Sequence, residues 1–367
     1  MKHLDRFADD LGPSKVVEIY QPSLDLRAAV VIDNVAAGPS IGGVRMATDV
    51  SVDECFRLAR AMTFKNAAAG LRHGGGKAVI AADHTMPPAD KERLVRAFAC
   101  AIRDLVDYIP GPDMGTDEVS MAWIRDEIGR AVGLPPEIGG IPLDVIGATG
   151  FGLAVAAEVA QEFCDVRIDG ARVAVQGFGS VGRHAARFLS RKGAILVAAA
   201  DSRATLADAE GLDIEALCAF KDCGGHFDSY PGGKALGRDA IVGIACDIWI
   251  PAARPDVIHV DNVDQVTARL IVQGANIPVT EEAEAVLHES GVLSVPDFIA
   301  NAGGVICAAV EYAGGSETGA FQTIEDKIRR NTAAVLRMAR DTGEPPRTAA
   351  VRLAEERVRK AMSFRRW

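Results

Sequence analysis

The chain has 367 residues, of which 49% are hydrophobic and 25% are charged, and its mean hydropathy is +0.11. This length exceeds what one compact core usually holds, so we expect two domains. The formal net charge of −10 argues against nucleic-acid phosphates or anionic membranes as general partners.

The N-terminal segment, MKHLDRFADD, contains no apolar run of the kind found in secretory signals, and no stretch approaches the ~18 apolar residues that suggest a membrane span. The seven cysteines are odd in number and lack CxxC spacing, which favours reduced thiols. The histidines form no recognised metal-binding pattern. We therefore expect a cytoplasmic protein without a metal site or a membrane segment.

The first predicted elements are a strand at 28–34 and the helix that follows it. Ser51 with Glu54 three residues later predicts a capping box, and the helix should run to about Ala69. Lys65 falls on the apolar face of this helix by its spacing.

A triple glycine at 74–76 leads to Lys77 and a short strand, AVIAA. The next helix follows Pro87 and shows apolar residues at helical spacing. After the loop PGPDMGTDE, Thr116 is expected to cap another helix.

From about residue 141 apolar strands alternate with helical stretches, a pattern typical of a parallel α/β sheet. After about residue 320 the sequence is helical and charged to the end. The strands predicted in this half are 172–176, 194–200, 247–250 and 270–273.

The strongest local motif is VAVQGFGSVGRHAARFL, with Gly177, Gly179 and Gly182 in a GxGxxG frame between a strand and a helix. The first glycine permits the tight turn, the second the approach of a pyrophosphate, and the third close helix packing. Ser180 and Val181 lie inside this turn. A glycine-rich turn without a ligand is the weaker alternative.

The next strand ends at Asp201, 24 residues after Gly177, close to the ~20 expected for an acid that binds the adenosine ribose. A carboxylate here favours NAD because it repels a 2′-phosphate. Ser202 and Arg203 follow at once and could hold that phosphate, so NADP stays an alternative to the preferred NAD.

Three polar residues could carry chemistry, although each has an ordinary alternative. Lys65 could anchor a carboxylate or simply cover apolar surface. Lys77 could act in acid–base catalysis or lie at a strand edge. Asp113 could transfer protons or bond its own turn backbone.

Taken together, the motifs resemble those of the glutamate/leucine/phenylalanine/valine dehydrogenase family, over most of the chain and in the same order. They are GPSIGGVRM (38–46), MTFKNAAAGL (62–71), GGGKAVI (74–80), PGPDMGTDE (110–118), GATGFG (147–152), GFGSVG (177–182), QGANIPVT (273–280) and VPDFIANAGGV (295–305).

The resemblance implies roles for individual residues. Lys65 would bind the substrate α-carboxylate, helped by backbone around Gly42, while Lys77 would be the catalytic lysine and Asp113 its acid–base partner. Thr149 and Asn276 would lie near the nicotinamide, and Asn276 would also contact the substrate.

The resemblance also implies an α/β fold of two domains: an N-terminal α/β substrate domain and a Rossmann-type, doubly wound dinucleotide domain, with C-terminal helices returning to the first. Members are homo-oligomers, commonly hexamers or octamers. The boundaries we predict are 1–140 for substrate binding and oligomerisation, 141–322 for NAD binding and 323–367 for the returning helices.

Two departures from the glutamate-specific relatives concern the substrate side chain. Those relatives carry a lysine where this chain has Ile41, and a serine where it has Ala308. A side-chain carboxylate buried there without a partner would be costly. The remaining residues expected near the substrate are Met62, Gly111 and Val305. A third departure is Gln273, where many relatives have glutamate.

The resulting hypothesis is NAD-dependent, reversible oxidative deamination of an apolar L-amino acid, leucine/valine or phenylalanine, to the 2-oxo acid and ammonia. One alternative is a glutamate dehydrogenase with a different side-chain anchor. Another is an NAD-binding regulatory protein that has lost catalysis, which the intact set of Lys65, Lys77 and Asp113 argues against.

Overall fold

The computed structural model describes residues 4–366, which fall into two compact units. Unit 1 contains the residues through Leu143, Val305–Ala320 and those from Val351 onward. Unit 2 contains Asp144–Gly304 and Phe321–Ala350. The chain is therefore interleaved more finely than the predicted boundaries at 140 and 322, since 305–320 belongs with unit 1 and 323–350 with unit 2.

Unit 1 is built on a five-stranded mixed sheet. Its strands are Lys15–Gln21 (β1), Leu26–Asn34 (β2), Ser40–Ala47 (β3), Gly74–Ala81 (β4) and Tyr108–Pro112 (β5). Its N-terminal helices are Leu4–Phe7 (α1), Val52–Ala68 (α2), Pro88–Ala101 (α3) and Glu118–Ile128 (α4). The strand order is β1-β2-β4-β3-β5, with β3, β4 and β5 parallel to one another.

Both faces of this sheet are covered, which explains why β2 is almost continuously apolar. Val30 and Ile32 enter the core shared with α3 and α4, whereas Ala29 and Val31 pack with residues of α2 on the opposite face. The alternation follows the two-residue period of a strand. Strand β4 lies between β2 and β3, in the middle of the sheet.

Helix α2 begins at a Ser51 cap whose side chain accepts the Glu54 backbone N–H at 3.1 Å. The reciprocal half of the predicted capping box is absent, because the Glu54 carboxylate binds Arg45 instead. Helix α4 corrects a second prediction: its cap is Asp117, which accepts from the Ser120 backbone. The predicted cap, Thr116, donates its hydroxyl to the Val44 carbonyl.

Unit 2 contains a seven-stranded sheet with helices before and after its strands. Its strands are Arg172–Gln176 (β6), Ile195–Ala200 (β7), Ala204–Ala207 (β8), Lys234–Gly237 (β9), Ile248–Pro251 (β10), Leu270–Val272 (β11) and Leu293–Val295 (β12). Its helices are Ala148–Ala160 (α5), Ser180–Ser190 (α6), Ile214–Asp222 (α7), Glu281–Glu289 (α8) and Asp297–Ala300 (α9).

The strand order is β12-β11-β10-β6-β7-β8-β9, and the first five of these are parallel. The unit β6–α6–β7 is thus a Rossmann-type βαβ element at the centre of a parallel sheet. Buried apolar residues, mostly branched or small but including Trp249, fill the parallel strands, as expected when both faces are covered.

Three helices complete the chain: Gly303–Tyr312 (α10), Glu317–Thr342 (α11) and Pro346–Met362 (α12). Each of these helices is divided between the two units, because the boundaries between the units fall at 304/305, 320/321 and 350/351. None of the helices described has the length and apolar content needed to cross a bilayer.

Candidate active site

The predicted catalytic pair meets in unit 1. Lys77 lies within β4 and Asp113 follows directly after β5, and the Lys77 ammonium donates a hydrogen bond to Asp113 Oδ2. The Lys77 side chain is 7% exposed and that of Asp113 is 17% exposed. Two residues 36 positions apart in sequence are therefore held as a shielded ion pair.

The Asp113 carboxylate is held from its other oxygen as well. Oδ1 accepts from the Met114 backbone N–H at 2.6 Å and from the Arg45 guanidinium at 3.3 Å. The Asp113 backbone N–H donates to the Thr116 hydroxyl at 3.0 Å, and that hydroxyl donates to the Val44 carbonyl. The turn after β5 is thereby tied to β3, which fixes where Asp113 points.

Burial has a large effect on Lys77. Burial, the largest cause, and the charge of Arg45 together lower the pKa of this lysine from 10.5 to about 7. An amine with a pKa near neutrality can both give and take a proton under physiological conditions. This is the property that an acid–base residue needs.

Lys65 lies on α2 and is half-buried. Its charge is among the causes that lower the pKa of Lys77, so the two ammonium groups act on each other within unit 1. Met62 precedes it by nearly one turn on the same helix and is also half-buried. Helix α2 thus contributes a cation to the surroundings of the Lys77–Asp113 pair.

An apolar cluster stands on the same sheet. Ile41 on β3 and Ile109 on β5 are register partners, and they pack with Val132 and with Ala308 of α10. All of these side chains are at most 7% exposed. The predicted substrate residues Ile41 and Ala308, 267 positions apart, are therefore brought together with Ile109 and Val132 in one apolar wall.

The other predicted substrate residues of unit 1 lie close to this wall. A side chain at Gly111 would approach Val132 Cγ2 to 3.1 Å, so only a small residue fits there. Val305 is half-buried in the first turn of α10, three residues before Ala308. The Gly42 carbonyl accepts the Tyr108 hydroxyl at 2.8 Å.

The predicted dinucleotide turn in unit 2 depends on its glycines for its backbone geometry. Gly177 adopts φ +89°, in the left-handed region that favours glycine. A Cβ at Gly182 would lie 1.9 Å from the Gly177 carbonyl oxygen, so the helix can approach the strand only without a side chain there. Helix α6 begins after Gly179 with no side chain capping its first N–H groups. These free donors fit an anion.

Two further residues of this turn lie beside those donors. The Ser180 hydroxyl donates to the Asp144 carbonyl at 2.9 Å, which ties the start of α6 to the segment before α5. Val181 is half-buried in the first turn of α6. Ser202 and Arg203 are exposed after β7.

Asp201 is engaged by its own unit. Oδ1 accepts from the backbone of Arg203 and Ala204, while Oδ2 accepts from Lys221 at 2.8 Å and from the Phe227 backbone at 3.0 Å. Burial raises the pKa of this carboxyl group, but the hydrogen bonds, led by the one from Lys221, hold it well below the ordinary value. The charge predicted to repel a 2′-phosphate is therefore balanced by Lys221, and preference for NAD remains a prediction.

The predicted nicotinamide-end residues also lie in unit 2. Thr149 is half-buried in the first turn of α5, and exposed Asn276 accepts from the Asn301 amide at 3.2 Å. The neighbouring Ile277 has φ +49°, and its N–H donates to Asp297 Oδ2 at 2.8 Å. The loop that carries Asn276 is thus held by a buried carboxylate.

That carboxylate belongs to a buried polar network centred on Arg347, at the start of α12. Arg347 donates to Glu284 at 2.8 Å, to Asp297 at 2.9 Å and to the Gln273 side chain at 2.8 Å. Gln273 in turn donates to Glu284 at 2.7 Å. An amide at position 273 can accept from the arginine and donate to the glutamate at once, which a second carboxylate could not do.

Sequence reasoning missed several residues of these sites. Arg45 forms an ion pair with Asp113. Ile109 and Val132 belong to the apolar wall. Lys221 neutralises Asp201. A signal was present for Arg45, because it is the one charged residue of the otherwise apolar strand SIGGVRMA. A charge in such a strand is rarely buried without a partner.

Comparison with known proteins gives a consistent picture. The family model for the glutamate/leucine/phenylalanine/valine dehydrogenases matches residues 139–366, and the model for the dimerisation domain of the same family matches residues 18–130. The chain is 38% identical over 357 residues to a glutamate dehydrogenase of Aeropyrum pernix, covering 91% of this chain and 85% of that one.

Solved structures show the same similarity. The hetero-hexameric glutamate dehydrogenase of Thermus thermophilus in its leucine-bound form superposes with a TM-score of 0.85 at 31% identity, covering 96% of this chain and 90% of that one. The L-tryptophan dehydrogenase of Nostoc punctiforme superposes with a TM-score of 0.74 at 26% identity, covering 96% and 97%. Other similar proteins include NADP-dependent glutamate dehydrogenases.

Proposed function

Since this chain belongs to the glutamate/leucine/phenylalanine/valine dehydrogenase family, we propose that it oxidatively deaminates its substrate at the pair formed by Lys77 and Asp113. It is an amino-acid dehydrogenase that uses NAD or NADP. The bound dinucleotide supplies the hydride acceptor. The glycine turn 177–182 is the part of unit 2 that would hold its pyrophosphate.

The residues of unit 1 would handle charge and protons. Lys65 would bind the α-carboxylate of the substrate. After hydride has left Cα, water must add to the iminium carbon, and ammonia must then depart. Asp113 would take a proton from the attacking water, and Lys77, with a pKa near 7, would stabilise negative charge that develops on that oxygen.

We propose further that the substrate side chain is apolar. The observation that supports this is the wall of Ile41, Ile109, Val132 and Ala308, whose four side chains cannot hydrogen-bond a carboxylate. An unpaired carboxylate against such a wall would lose its hydration without compensation. Leucine, valine or phenylalanine would bury apolar surface there instead.

Glutamate is the second candidate, and the comparisons favour it over an apolar amino acid. The similar curated proteins of Aeropyrum pernix, Pyrobaculum calidifontis and Halobacterium salinarum are all glutamate dehydrogenases, at 37–38% identity. If glutamate is the substrate, its side-chain carboxylate must bind a group other than residues 41 and 308.

Steady-state rates of cofactor reduction separate the two candidates. The protein is assayed with leucine, valine, phenylalanine and glutamate, each with NAD and with NADP. The apolar proposal expects kcat/KM for the best apolar substrate to exceed that for glutamate by at least ~100-fold, the scale on which an unpaired buried polar group discriminates. A larger kcat/KM for glutamate would establish the second candidate.

Matched variants test the wall itself. Ile41→Lys together with Ala308→Ser should raise kcat/KM for glutamate relative to leucine, because it supplies polar partners in the wall. Ile41→Met keeps the wall apolar and should leave the ratio within about threefold of the wild type.

Asp113→Asn should lower kcat about 10²-fold or more for whichever substrate is used. No turnover of any amino acid by the wild type would indicate a protein that has lost catalysis.

We also expect a homo-oligomer, because the family model that matches residues 18–130 describes a dimerisation domain.

A further inference from the structure

Arg45 lies between two carboxylates in unit 1. From β3 its Nη1 donates to Glu54 Oε1 at 2.6 Å and its Nη2 contacts Asp113 Oδ1 at 3.3 Å. The three side chains are 17–25% exposed, so they are largely shielded from solvent. Lys77 binds the other oxygen of Asp113. Four charged groups are therefore linked by consecutive ion pairs, in the order Glu54, Arg45, Asp113, Lys77.

We propose that Arg45 is a positioning residue for the Asp113 carboxylate, and that Glu54 is the counter-charge that limits its effect on Lys77. This rests on the proposed function, in which Asp113 and Lys77 handle protons.

The contacts of Asp113 support the positioning role. A carboxylate held only by Lys77 and by the Met114 N–H could still rotate about its χ angles, since both donors are compatible with several orientations of Oδ1. Arg45 adds a donor from a different strand. The carboxylate is then fixed from β3, from β4 and from its own turn, which is the degree of constraint that proton transfer requires.

The start of α2 explains why Glu54 is available. Ser51 alone satisfies the Glu54 backbone N–H, so the helix is capped without the carboxylate of Glu54. The same residue that the sequence pattern assigns to a capping box therefore turns its charge toward Arg45. Helix α2 thereby contributes an acid and, eleven residues later, the cation Lys65 to the same neighbourhood.

The electrostatic consequences of the two residues have opposite signs. The charged or titratable groups that face Lys77 are Arg45, Asp113, and Glu54, Cys55 and Lys65 of α2. Beyond burial, Arg45 and Lys65 lower the pKa of Lys77, whereas Cys55 and Glu54 raise it. Removing the charge of Arg45 should therefore raise the pKa of Lys77, and removing that of Glu54 should lower it.

The test measures Lys77 directly and needs no substrate. The whole protein is labelled briefly with acetic anhydride across a pH series, and acetylation of Lys77 is quantified by peptide mass spectrometry. Exposed Lys234 in unit 2 is the internal reference. At pH 6, where only a small fraction of Lys77 is neutral, we expect labelling of Lys77 relative to Lys234 to fall roughly threefold in Arg45→Met and to rise roughly threefold in Glu54→Gln. Arg45→Lys keeps the charge and should resemble the wild type.

The outcome that overturns the proposal is a Lys77 labelling profile unchanged in both variants, or displaced in the same direction in both. A common displacement would indicate altered packing rather than the two opposite charges. If Arg45→Met does not fold, Glu54→Gln still decides the matter, since its displacement toward lower pH is specific to a lost negative charge.

Turnover then tests positioning. With the amino acid that the wild type uses, Arg45→Met should lower kcat at least tenfold while KM changes less than threefold, and Arg45→Lys should restore part of kcat. An unchanged kcat in Arg45→Met would contradict the positioning role. If the wild type turns over no amino acid, the proposed function fails, while the labelling result stands or falls independently of it.

Discussion

The carboxylate of Asp201 is surrounded by donors from its own unit. Lys221 approaches at 2.8 Å with a side chain that is only 14% exposed, and three backbone N–H groups complete the set. A shielded ammonium cancels most of the charge that a nearby phosphate would otherwise feel. We therefore expect discrimination between NAD and NADP to depend on Lys221 as well as on the acid.

Replacing Lys221 should change cofactor selection. In Lys221→Met the Asp201 carboxylate keeps its backbone donors but loses its counter-ion, so a 2′-phosphate is repelled more strongly. We expect the ratio of kcat/KM for NAD to that for NADP to rise about tenfold. Lys234→Met removes an exposed lysine of the same unit and should leave the ratio unchanged. A ratio unaffected in both variants would show that Asp201 does not face the cofactor.

At the scale of elements, the contact of β4 with α2 determines where Lys77 lies. A Cβ at Gly75 would be 2.0 Å from the Thr63 backbone nitrogen, so the glycine lets strand and helix touch directly. Lys77 follows two residues later on the strand, and Lys65 two residues after Thr63 on the helix. The close approach therefore sets the position of both lysines.

Gly75→Ala should damage stability and activity together, because backbone rather than a flexible side chain must move. We expect the free energy of unfolding to fall by about 1–3 kcal/mol, the usual range for overpacking, as measured by urea denaturation. Gly237→Ala, where no atom lies within 4 Å of the new methyl group, is the matched control and should cost less than about 0.5 kcal/mol. Equal costs in the two variants would contradict this account.

The first turn of α12 supports the loop that carries Asn276. Arg347 forms ion pairs with both Glu284 and Asp297, and Asp297 accepts a hydrogen bond from the Ile277 backbone. Arg347→Met should therefore leave two buried carboxylates unpaired.

The expected cost of Arg347→Met is about 3–5 kcal/mol of unfolding free energy at pH 7, the range for breaking a buried ion pair. Part of it should be recovered in Arg347→Met/Glu284→Gln, because one uncompensated charge is then removed. A double-mutant cycle by denaturant unfolding measures this coupling, and strictly additive effects would refute it.

At the scale of the whole molecule, local patterns predicted the elements well. The strand–glycine–helix segment around 172–190 is encoded by neighbouring residues, and the structure has β6 and α6 there. The prediction that Thr116 caps α4 was wrong because its hydroxyl donates to the carbonyl of Val44, 72 residues away in sequence. Arg45 and Asp113 are 68 residues apart, so no local window contains their contact.

The division into units was harder still to predict. Residues 305–320 join unit 1 although unit 2 surrounds them in sequence. Composition cannot reveal this, because buried helices look alike in either unit. Only the resemblance to a family brought Ile41 and Ala308 into the same argument, and it could not name Ile109 or Val132, which complete their cluster.

Arg357, in the last stretch of unit 1, donates to the carbonyls of Ala67 and Ala68 at the end of α2. During translation Lys65, Lys77 and Asp113 are synthesised long before this arginine. These three residues are thus present early in the nascent chain. The end of α2, the helix that carries Lys65, gains its hydrogen bonds from Arg357 only after both segments of unit 2, 144–304 and 321–350, have been translated. Premature termination before residue 351 would leave the end of α2 without the hydrogen bonds from Arg357.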